Sequence, residues 1–169
     1  FPLDSIQPEP GSWSNYPRGV FREMDRAGVA LKGTRIAIVS NLPIGAGISS
    51  SAALELATAE ALYALYDSRP KDPMDEAKLC QRAEVEFVGV PCGLLDQFSS
   101  KFGKRNHALF LDCATLRHQQ VSFGRDDLSV VLADSGEKHA LVDGKYADLR
   151  ASCERATGVF RQLVGHEVR

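Results

Sequence analysis

A domain that mixes helices with strands is the architecture this sequence predicts, and three observations lead there. Residues 34–41, Thr-Arg-Ile-Ala-Ile-Val-Ser-Asn, are rich in β-branched side chains with Ile36 and Ile38 on one face, and read as a strand ending at Pro43. Between residues 50 and 66, Leu54, Ala57, Ala61, Leu62 and Leu65 recur at helical spacing. Further on, Tyr146, Leu149, Cys153, Ala156, Phe160 and Leu163 form another amphipathic stripe, with Arg150, Glu154 and Arg161 off it.

The other elements follow from punctuation. Pro2, Pro8, Pro10, Gly11 and Pro17 crowd residues 1–17, which predicts a loop anchored by Trp13 and Tyr16. Ser49 and Ser50 can cap the helix over 50–66. A second helix is announced by Asp72 as N-cap, Pro73 at the first helical position and Asp75 reaching back. It continues through Ala77, Cys80, Ala83 and Phe87 until Gly89 and Pro91 stop it. Residues 94–102 read as a short third helix closed by Gly103, and 107–112 and 128–134 as strands. Neither an internal repeat nor a low-complexity tract is present.

With 169 residues the chain suits one ordinary domain that buries roughly two-thirds of its unfolded surface. Apolar residues make up 44%, charged residues 25%, and the net charge is -2, which points away from nucleic acid and from anionic membranes as partners. Cys80, Cys92, Cys113 and Cys153 form no C-x-x-C pair and have no histidine at metal spacing, so buried reduced thiols are expected rather than a zinc or redox site. No stretch reaches the roughly 18 apolar residues of a membrane span, and the first residues lack a basic segment followed by an apolar run, so a cytoplasmic location is expected. The chain opens on Phe1-Pro2-Leu3 without an initiator methionine, and a piece of a longer protein is expected.

Chemistry concentrates in two segments. The first, Pro43-Ile44-Gly45-Ala46-Gly47-Ile48-Ser49-Ser50-Ser51-Ala52, joins a strand to a helix. Its glycines permit unusual backbone angles and close approach, while the helix that follows aims its positive end and free N–H groups back at the loop, as a phosphate would require. A flexible turn with a serine cap is the plainer reading. The segment lacks the Gly-Lys-Ser/Thr of a Walker loop and has Ser50 where a Rossmann turn needs a third glycine. The pattern Pro-x-Gly-x-Gly-x-Ser-Ser-Ser-Ala instead resembles the central ATP motif of the GHMP small-molecule kinases.

The second segment runs from Ala83-Glu84-Val85-Glu86-Phe87 to Gly89-Val90-Pro91-Cys92-Gly93-Leu94-Leu95-Asp96-Gln97. Its Gly-x-Pro-Cys-Gly-x-x-Asp-Gln pattern is similar to the galactokinase branch of that family. The resemblance implies that Asp96 faces the sugar hydroxyl and takes its proton, a reasonable task for a carboxylate in phosphoryl transfer. By its own chemistry Asp96 equally suits a helix cap or a surface acid. The resemblance further implies that Gly93 lies against the sugar, and that Glu84 holds Mg2+ together with Ser50. Glu84 could also be an exposed helix residue, and Glu86 is close enough to compete for the role.

Two flanks extend the likeness. Trp13-Ser14-Asn15-Tyr16-Pro17-Arg18-Gly19-Val20 is similar to the family segment whose tryptophan lies near adenine, although a core tryptophan would fit as well. Residues 134–141 with Tyr146 and Arg150-Ala151-Ser152-Cys153-Glu154 resemble the family's turn and following helix, whose tyrosine contacts the sugar; the helical phase of Tyr146 also suits packing. The family's Gly-Glu-His-Thr-Asp sugar motif, the arginine before it and its C-terminal glycine-rich motif do not occur in this chain.

The resemblance therefore implies a partial α+β fold, a two-layer mixed sheet with packed helices of the ribosomal-protein-like GHMP kinase N-terminal type. Residues 1–140 would form the ATP- and sugar-binding domain without its first strands, and 141–169 a helix leading into the second domain. ATP and Mg2+ are the implied cofactors, and the implied activity is transfer of a phosphoryl group to the anomeric hydroxyl of galactose. A kinase for N-acetylgalactosamine or arabinose is an alternative. So is a non-catalytic sugar sensor of the same fold, which Ser51-Ala52 argues against because such regulators can lack that pair.

Overall fold

A computed structural model describes residues 1–125, 127–133 and 145–164, and is an α+β arrangement. The elements described are helices α1 (Asn15–Arg26), α2 (Ser50–Tyr66), α3 (Pro73–Arg82), α4 (Leu95–Phe102) and α5 (Lys145–Val164), with strands β1 (His107–Leu111) and β2 (His118–Ser122). A π-helical turn, Ala83–Val88, prolongs α3.

Helix α2 covers the residues its periodicity predicts. Asp72 caps α3 as its sequence requires, its Oδ1 accepting from the Met74 N–H at 2.9 Å with Pro73 in the first turn. Gly89, at φ +84°, takes the left-handed turn that ends the π-helical segment, and its N–H donates to the Glu84 carbonyl at 3.0 Å. Helix α4 ends at Gly103 as expected.

Helix α1 corrects the reading of residues 1–17 as loop throughout. Pro17 falls in its first turn, where an N–H would have no intrahelical acceptor, so the proline costs no hydrogen bond there. The loop before it is anchored by Asn15, not Trp13. Asn15 is buried, accepts from the Glu9 N–H at 2.8 Å and donates to the Glu9 carbonyl at 2.7 Å.

The core lies where α1, α2 and α3 meet. Val20, Phe21 and Met24 pack with Leu56, Ala59, Leu62 and Tyr63 and with Leu79, Cys80 and Ala83. Each of the large apolar side chains contributes about 1.5–3 kcal/mol through burial. The contact between α1 and the end of α3 is made close by Gly19: a Cβ there would lie 3.1 Å from both the Ala83 Cβ and its carbonyl oxygen.

Strands β1 and β2 pair antiparallel, with His107 opposite Ser122 and Leu111 opposite His118. The hairpin rests on α4 through His118, whose ring lies 5.1 Å from that of Phe98 and 4.6 Å from that of Phe102. Strand β2 was not legible, since its His-Gln-Gln-Val-Ser carries one aliphatic residue. The expected strand over 34–41 does not form. A strand needs a neighbour for its N–H and C=O groups, and among the described residues none pairs with it; Val39 is 97% exposed. Residues 128–133 likewise lie outside any strand, with Val130, Val131 and Leu132 exposed, and Asp134 falls outside the described residues.

All four cysteines are free, but only Cys80 is buried; Cys92 is half-buried and Cys113 and Cys153 are exposed, against the expectation of buried thiols. The reason is position: Cys113 lies in the turn after β1, and Cys153 lies on the apolar stripe of α5, where Leu149, Phe160 and Leu163 are exposed as well. Among the described residues no helix is long and apolar enough to cross a membrane.

One buried charge ties α3 to α4. Glu76 is 1% exposed, and Lys101 reaches it at 2.6 Å while also pairing with Glu60 of α2. Replacing one partner of such a pair strands the other charge in a poor solvent. Lys101→Met is expected to lower unfolding free energy by about 3–5 kcal/mol, measured by urea denaturation. A loss below about 1 kcal/mol, the range of exposed pairs, would show that water reaches Glu76.

Candidate functional site

The glycine and serine loop crosses the surface and delivers the N-terminus of α2. Gly45 and Gly47 have φ of +79° and +72°, and a Cβ on either would meet nothing within 4 Å. Backbone conformation, not space, is therefore what glycine supplies here. Ser49 occupies the N-cap at φ 56°, ψ 46°, a left-handed geometry rare outside glycine, and makes no side-chain cap bond. Capping by Ser49 is thus corrected: the hydroxyl accepts from the second or third N–H only when the cap residue is extended. Pro43, Ile44 and Gly45 are exposed, Ala46, Ile48, Ser49, Ser50 and Ser51 are half-buried, and Ala52 is buried. The first N–H groups of α2 thus carry no cap from Ser49 beside three hydroxyls, the arrangement that receives a phosphate.

Beneath this helix end lies a buried polar cluster. Glu55, one turn below Ser51 on the same face, is fully buried, as is Gln97 of α4, while Glu84 of the π-helical turn is 3% exposed. Gln97 Nε2 donates to Glu84 Oε2 at 2.6 Å and to Glu55 Oε2 at 3.1 Å. The Cys92 thiol donates to the same Glu84 oxygen at 3.5 Å. Burial, reinforced by the Glu84 charge, pushes that thiol up to about 12, so it stays protonated. Tyr16 of α1 borders the cluster; burial first, then the charges of Glu84 and Glu55, raise its hydroxyl.

Asp96 stands beside Gln97 in the first turn of α4, half-exposed, and is near enough for its charge to act on Glu55. Gly93 is exposed in the turn that precedes α4. That turn is held by its Cys92 carbonyl, which accepts from Gln81 Nε2 at 3.3 Å and from Arg150 of α5 at 3.2 Å. Helix α5 thus borders the site, although the side chain of Tyr146 and the segment 134–141 lie outside the described residues. Trp13 is 63% exposed, which removes the core alternative.

The two competing glutamates separate cleanly. Glu86 turns outward to Arg26 at 2.8 Å, whereas Glu84 points into the cluster. Both cluster bonds to Glu84 fall on Oε2, and Oε1 takes no part in them. Among the described residues no group of three or more His, Cys, Asp or Glu side chains could hold a metal. A cation at Glu84 and Ser50 would therefore share its shell with nucleotide oxygens, which suits Mg2+ and its sparse protein coordination. Sequence reasoning missed Glu55, Gln97 and Tyr16 as members of the site. The available signal was Glu55 itself, an acid one residue before Leu56 and four before Ala59 on the side of α2 that enters the core.

Burial, followed by the Glu84 charge, pushes the Glu55 carboxyl from 4.5 up to about 9, opposed by the Gln97 bond and aided by Asp96. Glu55 is thus a neutral acid at pH 7, and its Oε1, buried with no partner among the described residues, is the oxygen left to carry the proton. An acid whose folded pKa is raised favours folding fully below pH 4.5, and that contribution is lost as pH climbs toward about 9. Glu55→Gln keeps the shape and removes the titration. Its stability relative to the parent should rise across that window by at most about 1.4 kcal/mol per pH unit, then level off, in urea melts run from acid to alkaline pH. A difference that does not vary with pH would mean Glu55 is ionised in the folded protein.

Residues 15–104, just over half the chain, match the profile described as "GHMP kinases N terminal domain". A galactokinase of Thermotoga neapolitana is 41% identical over 157 residues, 92% of this chain and 44% of that protein. One from Pyrococcus furiosus is 39% identical over 168 residues, 99% of this chain and 47% of its own length. The crystal structure of Lactococcus lactis galactokinase complexed with galactose superposes with a TM-score of 0.77 at 28% identity, covering 100% of this chain and 43% of that one. The chain thus spans less than half the length of these relatives. The matched profile, laid over the same loop, helix and carboxylates that form the site, means that this chain belongs to the GHMP kinases.

Proposed function

We propose that this chain is the nucleotide- and sugar-binding part of a galactokinase, which transfers the γ-phosphoryl group of ATP to the anomeric hydroxyl of galactose. The observation that carries this reading is the position of Asp96. It opens α4 directly beside the cluster that lies under the phosphate-type loop, so an acceptor hydroxyl at Asp96 would lie close to a nucleotide held by α2. The likeness to galactokinases, including one solved with galactose, supports the sugar.

Each residue then has a task. Pro43, Gly45, Ala46, Gly47, Ile48, Ser49, Ser50, Ser51 and Ala52 wrap the phosphates with backbone N–H groups and hydroxyls at the α2 terminus. The exposed ring of Trp13 offers a face for adenine. Ser50 and Glu84 Oε1 hold Mg2+, which when bound neutralises phosphate charge. Gly93 leaves room for the sugar ring, Tyr146 contacts it, and Asp96 orients the attacking hydroxyl and receives its proton.

In this reading residues 1–140 belong to the N-terminal domain and 141–169 lead into the next. The expected location is the cytoplasm. Galactose over N-acetylgalactosamine or arabinose is the finest part of the proposal.

The test is coupled ADP release by the protein from its native open reading frame, with galactose, N-acetylgalactosamine and arabinose in parallel. Galactose-dependent release that falls by about 10²–10⁴-fold in Asp96→Asn is expected. Release with another sugar alone would reassign the substrate. Sugar and ATP binding without turnover would favour the sensor.

A further inference from the structure

The cluster contains a group for which phosphoryl transfer has no direct use. Gln97 is fully buried, and its Nε2 spends both hydrogens on carboxyl groups from two other elements, Glu84 at 2.6 Å and Glu55 at 3.1 Å. Its own Oε1 and the Glu55 Oε1 are buried with no partner among the described residues. An apolar trio of equal volume would avoid those two desolvation costs, so the arrangement is poorly explained by stability alone. A buried amide held at two points does something an apolar group cannot: it sets the angle of a carboxylate.

We infer that Gln97 is a positioning residue, held at its far side by Glu55, that turns Glu84 so that Oε2 stays inside and Oε1 faces the cation. Gln97 also adjoins Asp96 in the first turn of α4, so the same clamp fixes the cation-side carboxylate relative to the helix end that carries the sugar-side one. Glu55 acts as the anchor, its Oε2 accepting from Gln97 Nε2 on the side away from Glu84. This inference rests on the proposed roles of Glu84 and Asp96.

The measurement is calorimetric binding of ADP to the full protein, without magnesium and with magnesium chloride, beside steady-state kinetics. In Gln97→Leu, ADP alone should bind as in the parent, while the tightening produced by magnesium and the kcat both fall by about 10–100-fold, the range for residues that orient metal ligands. The KM for the sugar should stay close to the parent value. Glu55→Met, which keeps the Gln97–Glu84 bond and frees the far side, should show the same pattern more weakly. The conservative Glu55→Gln should restore it.

A Gln97→Leu protein with a parental melting curve, parental magnesium effect and parental kcat overturns the inference. If Gln97→Leu does not fold, Glu55→Met decides, and an unchanged magnesium effect there overturns it equally. A parent protein whose ADP binding ignores magnesium would instead overturn the assignment of Glu84 in the proposed function. The untouched parent thus separates the two failures.

Discussion

Everything near the site depends on one contact, the amide of Gln97 lying between the carboxyl groups of Glu55 and Glu84. Helix α2, the π-helical turn after α3 and helix α4 each contribute one member, so the loop ahead of α2 and the turn ahead of α4 share a common reference point. Two carboxylates side by side in a poor solvent would repel by several kcal/mol, and burial resolves this by leaving one of them protonated. The amide then donates to one oxygen of each. Apolar packing of α1 against the same helices supplies stability, and the polar cluster supplies orientation.

The ion-pair network of Lys101 plays a complementary part. It joins α2, α3 and α4 at Glu60 and Glu76, with Arg69 drawing the half-exposed Glu60 down to about 2. Three helices are therefore tied twice, once by a charged network and once by a neutral acid and an amide. The short α4, eight residues long, gains a fixed position that its own length would not provide.

Much of this was legible. The extent of α2, the Asp72 cap of α3, α4 with its closing glycine and β1 all follow from periodicity and punctuation, because those rules report local chemistry. Helix α1 was hidden by Pro17, which counts against a helix everywhere except its first turn. Residues 34–41 carry a strand's composition without a ladder, since pairing is a property of the neighbour as well as the segment. The loop and Asp96 were found through motif, yet no motif indicated which glutamate turned inward. That choice follows helical phase: Glu84 stands four residues after Cys80 on the face that buries Ala77, Cys80, Ala83 and Phe87, and Glu86 falls off it.

The two-stranded hairpin has a further consequence. Among the described residues neither β1 nor β2 has a second partner, and Phe110, Val121, Val130 and Val131 are all exposed nearby in sequence. Unpaired edges with apolar side chains template the addition of foreign strands, and a lone pair of strands is marginal in water. Produced by itself, this polypeptide would tend toward aggregates and inclusion bodies at high concentration. Its colloidal behaviour would therefore be governed by the sheet rather than by the helical core that gives it its fold.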